Sequence, residues 1–124
     1  MYNGYKTFED VKAWQLTREF RKNIYKISQK FPKDELYGLT SQIKRAVISI
    51  SANIAEGYGR YSFQENIQFC RIARGSVNEV LDQLYTALDE NYINQGEFDL
   101  LYQDGRNIEY AINGYIKFLN SNNK

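Results

Sequence analysis

The residues best suited to chemistry in this 124-residue chain are five cations and two phenols: Lys44, Arg45, Arg60, Arg71 and Arg74, with Tyr58 and Tyr61. Guanidinium groups grip phosphate oxygens and tyrosine rings stack on unpaired bases, so this set could hold RNA. The same residue types are enriched where subunits meet, and oligomer contacts or solvated charge explain the set as well. Catalysis has less to draw on. The chain has no histidine, which removes the commonest general base, the Ser-His-Asp arrangement and histidine metal sites. Glu79 and Asp82 share a helix face but read as a solvated pair, and Cys70 falls on an apolar stripe and reads as a core thiol. We expect no metal, no cofactor and no enzymatic activity.

Gly57-Tyr58-Gly59-Arg60 places two glycines before a helix start, as a phosphate loop would, but it lacks the Walker spacing and lysine and no strand precedes it. The glycines read instead as a left-handed helix stop and a turn. Asn53 and Glu56, one turn apart just before them, read as side chains that bond backbone or neighbours around the connection.

Four helices must position these groups, over about residues 8–29, 34–56, 63–90 and 95–119. In the first, Ala13, Leu16, Phe20, Ile24 and Ile27 recur at steps of three and four, the period of one helix face. The second carries Leu36, Leu39, Ile43, Val47, Ile50 and Ile54, the third Ile67, Cys70, Ala73, Val77, Leu81 and Leu84, and the fourth Phe98, Leu101, Ile108, Ala111, Tyr115 and Leu119. Thr7 is an N-cap candidate, and Ser62 with Glu65 and Asn94 with Glu97 have capping-box spacing. Proline occurs once, at Pro32 between the first two helices. Long helices joined by short connections run antiparallel, which predicts an all-α, up-down-up-down four-helix bundle forming one domain over residues 1–124. The N-terminus lacks the apolar stretch of a signal peptide, no run is long enough to span a membrane, and one cysteine leaves no disulfide, so a cytoplasmic location is expected.

The ten residues from Ala46 to Ala55 contain no charge. The side of this helix away from its core stripe carries Ser41, Ile48, Ser51, Ala52 and Ala55, small or apolar where solvent-facing charge belongs. A β-strand through Val47–Ile50, or a helix merely central among its partners, would fit in part; burial between subunits accounts for both faces and is the reading we prefer. Charge is also divided along the chain. Residues 1–75 hold 13 Lys and Arg against 7 Asp and Glu, and residues 76–124 hold 3 against 8, so a basic part of one copy could meet an acidic part of another.

The stretch from Phe31-Pro32-Lys33-Asp34-Glu35-Leu36-Tyr37-Gly38 through Ser49-Ile50-Ser51-Ala52-Asn53-Ile54-Ala55-Glu56-Gly57-Tyr58-Gly59-Arg60 closely resembles the bundle proteins encoded in intervening sequences of bacterial 23S ribosomal RNA genes. Phe8-Glu9-Asp10-Val11-Lys12-Ala13-Trp14-Gln15 and Ile72-Ala73-Arg74-Gly75-Ser76-Val77-Asn78-Glu79 support the likeness. The resemblance implies a homo-pentameric ring with no assigned catalytic activity. A related branch, the accessory proteins of diversity-generating retroelements, consists of basic rings that bind RNA and a reverse transcriptase; the acidic second part of this chain departs from that branch.

Overall fold

The computed structural model describes residues 4–122. Helices occupy Lys12–Ser28 (α1), Leu39–Tyr58 (α2), Phe63–Asp89 (α3) and Gln95–Ser121 (α4), and the described residues contain no strand. Contacts run around a square, α1 to α2 to α3 to α4 and back to α1, with neighbours antiparallel. Val47–Ile50 lies within α2, which disposes of the strand reading.

The apolar stripes meet along the bundle axis. Ile24, Ile43, Val47, Ile50, Ile54, Ile67, Leu84, Ile108, Ile112 and Leu119 are all fully or almost fully buried, each contributing about 1.5–3 kcal/mol of transfer free energy. Cys70 lies among them, and burial pushes its thiol up to about 12.

At Asn94 the full capping box forms, Asn94 and Glu97 bonding each other reciprocally at 2.8 and 2.9 Å; at Ser62 only half of it does, the Glu65 amide donating to Ser62 Oγ at 3.2 Å while the Glu65 carboxylate faces the Ser62 hydroxyl and not its amide. The first two helices start later than their periodicity suggests. Phe8–Asp10 and Lys33–Glu35 are separate 3₁₀ turns, so Thr7 precedes a turn and not α1. Glu35 closes the second of these: its carboxylate accepts the Leu39 amide at 3.1 Å and the Tyr92 hydroxyl at 2.8 Å, tying the start of α2 to the α3–α4 connection.

The glycine stop needs correcting. α2 continues through Gly57 to Tyr58, and Gly59 closes it with φ −78°, a right-handed conformation open to any residue. Gly57 is there for space. A Cβ on it would lie 2.7 Å from Phe69 Cβ and 2.7 Å from Asn66 Oδ1, so the lack of a side chain lets α2 and α3 cross closely. Gly105 does the same for α4, where a Cβ would meet Leu81 Cδ2 at 2.6 Å.

Candidate interaction surface

The structure scatters the cation and tyrosine set. Lys44 Nζ sits 4.9 Å above the Tyr25 ring, and Arg45 donates to Ser41 Oγ at 2.9 Å; both lie at the start of α2, about 20 Å along the axis from Arg60. Arg60 pairs with Glu56 at 2.9 Å and covers the Phe69 ring. Arg74 donates to Asn113 at 2.7 Å, and the Tyr58 hydroxyl donates to the Tyr5 carbonyl at 3.1 Å. Arg71 and Tyr61 are exposed, Tyr61 by 93%. The set is thus divided between the two ends of α2, and most of its members are engaged with their own chain.

Asn53 and Glu56 take structural places. Asn53 Nδ2 donates to the Ser49 carbonyl at 2.8 Å, and Glu56 holds Arg60 in the α2–α3 connection. Among the described residues no group of His, Cys, Asp and Glu could hold a metal ion, and no helix is long and apolar enough to cross a membrane. A cleft of about 670 Å³ between α1 and α4 is lined by Ile27, Leu100 and Leu101 with the Lys30–Glu97 ion pair at its rim. Asp104 at its wall is raised by burial.

The outer side of α2 is a surface of another kind. Ile48 is 44% exposed and Ala52 is exposed, while Ser41 and Ala55 are half-buried. Ser51 leaves this group: it is only 7% exposed and its hydroxyl donates to the Ile48 carbonyl at 3.3 Å. Its place on the helix, about 60° from Ile48 by the 3.6-residue repeat, turns it toward α1. The Ser49 and Ser76 hydroxyls bond across the α2–α3 seam at 2.9 Å. In the antiparallel pair this sets Ile72 level with Asn53, and Ile72 is itself 52% exposed. An uncharged strip thus runs from α2 across to α3.

Two features of this region escaped the sequence reading. Gln83 is buried and its Oε1 has no hydrogen-bond partner among the described residues; a polar residue inside the third helix carries no signal of how its carbonyl is placed. A groove between α2 and α3 is lined by Gln42, Arg45, Ala46, Ser49 and Glu79, a set drawn from two helices that only packing brings together.

The model of the 23S rRNA-intervening sequence protein family matches residues 9–114. The chain belongs to that family. Its fold is also that of a solved structure from Bacteroides thetaiotaomicron, described as a protein with unknown function from the S23 ribosomal protein family; the TM-score is 0.78 at 24% identity, over 85% of this chain and 98% of that one. No curated protein matches significantly. The description of the structural neighbour assigns it no function, and this chain, as a member of the intervening-sequence family, shares its helical-bundle fold.

Proposed function

We propose that this protein is a non-enzymatic, cytoplasmic interaction scaffold that assembles with copies of itself into a closed ring, of five subunits by the family resemblance. The outer strip of α2 carries this reading: Ile48, Ala52 and the neighbouring Ile72 leave apolar surface in water, and a second copy would remove it. The uncharged stretch Ala46–Ala55 supplies small side chains on which another helix can pack closely. At micromolar concentration, native mass spectrometry should give a closed multiple of the 14.6 kDa chain. Ile48→Asp, at a site too exposed to disturb the core, should leave helical content unchanged and yield monomer, because assembly would bury an unpaired carboxylate. A wild-type monomer would refute the proposal.

An RNA adapter is the second reading, favoured by exposed Arg71 and Tyr61 near the end of the bundle that holds Arg60. Titration with a structured RNA at several salt concentrations tests it, since phosphate contacts give an affinity that falls steeply with salt. No binding at about 50 mM salt rules it out.

A further inference from the structure

Charge on this bundle is sorted by helix. α1 carries Lys12, Arg18, Arg21, Lys22 and Lys26 with Glu19 as its one acid, whereas α3 beyond Ser76 carries Glu79, Asp82 and Asp89 and no cation. Arg18, Lys22, Glu79 and Asp82 are exposed. Among the described residues no ion pair engages Arg18, Arg21, Glu79 or Asp82; Lys22 makes a surface contact with Glu19 at 3.3 Å, and Glu79 accepts only from Gln83. These stripes are diagonal in the square of helices, one on each side of the uncharged strip of α2.

They are also at one height. Lys44 over the Tyr25 ring fixes α1 against α2, and the Ser49–Ser76 bond fixes α2 against α3. Counting five residues from Ser49 to Lys44 and five from Ser76 in the opposite sense sets Tyr25 level with about Leu81. Lys22 and Lys26 then stand at the height of Glu79 and Asp82.

We propose that successive copies pack the α2–α3 face of one against the α1–α2 face of the next, so that Glu79, in the α2–α3 groove, meets Arg18, Arg21 and Lys22 of the neighbouring copy beside the uncharged α2 strips, with Asp82, one turn from the α4-contacting Asn78 and Tyr85, at the outer edge of the contact. This rests on the self-assembly proposed above and names its two unlike surfaces. Adjacent faces of a four-sided bundle differ by roughly a right angle, so each copy turns by about that much and the chain of contacts closes after about four or five.

The test is charge exchange, read by native mass spectrometry and by the concentration at which the assembly half-dissociates. R18E/K22E alone and E79K/D82K alone should each raise that concentration about a hundredfold by placing like charges together. All four substitutions in one chain should restore assembly to within about tenfold of wild type, a rescue that damaged folding would not give. A wild-type monomer refutes self-assembly itself. Wild-type assembly that neither reversal weakens, or a quadruple variant no better than the single-stripe variants, overturns this pairing while leaving self-assembly standing. Assembly unchanged with R18E/K22E losing only its retention of a structured RNA would also overturn it, assigning the α1 stripe to a polyanion.

Discussion

Replacing Gly57 by alanine sets two effects of opposite sign against each other. Alanine is favoured over glycine inside a helix by up to about 1 kcal/mol, so propensity alone predicts a more stable protein. The structure predicts the reverse. The new Cβ would lie 2.7 Å from Phe69 Cβ, where ordinary contact begins at 3.4 Å; α2 and α3 must part by about 0.7 Å or distort. Phe69 Cβ is bonded to the α3 backbone and cannot rotate away, and the second close atom, Asn66 Oδ1, accepts from Cys70 while Asn66 Nδ2 donates to Tyr115 at 3.1 Å. Overpacking of this kind costs about 1–3 kcal/mol, which exceeds the propensity gain. We expect a net loss of about 1–2 kcal/mol, or a Tm lowered by about 4–8 °C at fixed protein concentration. Gly105→Ala should be milder, because Leu81 Cδ2 at 2.6 Å is the end of a side chain that can turn. Gly114, exposed in α4 with nothing within 4 Å of a Cβ, is the control: alanine there should stabilise by up to about 1 kcal/mol. Thermal and urea unfolding of the three variants gives the order. Gly57→Ala as stable as Gly114→Ala would refute the close crossing of α2 and α3.

Ser62→Ala removes the acceptor for the Glu65 amide and should cost about 1 kcal/mol in urea unfolding. The Leu39 amide and then the Tyr92 hydroxyl hold the Glu35 carboxyl below its ordinary 4.5; a depressed folded value means stability that is complete above the unfolded value and lost as pH falls through the folded one. Glu35→Gln should therefore flatten part of the decline in Tm between pH 5 and 3, by measurement against wild type across that range. Cys70, buried and with its thiol pushed up to about 12, should react with a thiol reagent at pH 8 no faster than the protein unfolds; rapid labelling of the folded chain would contradict its place in the core.

The four helices could be read from the sequence because each depends on local chemistry: apolar residues at helical spacing, Ser62 and Asn94 at their starts, one proline between the first pair. The starts of α1 and α2 could not, since Phe8–Asp10 and Lys33–Glu35 form separate 3₁₀ turns, and three residues are too few to show a period that differs from that of the helix that follows. Ser51 falls outward on an ideal wheel of the second helix yet is buried in the fold, because the core-facing centre of α2 is set by how α1 and α3 both press on it. The cation and tyrosine set was a list of types, and the fold spends most of its members on its own chain.

By itself the sequence determined an all-helical bundle, the absence of histidine chemistry and an uncharged stretch in the second helix, because composition and periodicity act within a few turns of the chain. Tertiary structure decided the rest. Gly57 became a point of close crossing only when Phe69 was brought against it, and the α1 cations and α3 acids became two stripes at one height only when Lys44 met Tyr25 and Ser49 met Ser76. Height and facing depend on contacts between residues far apart in sequence, and no local pattern encodes them.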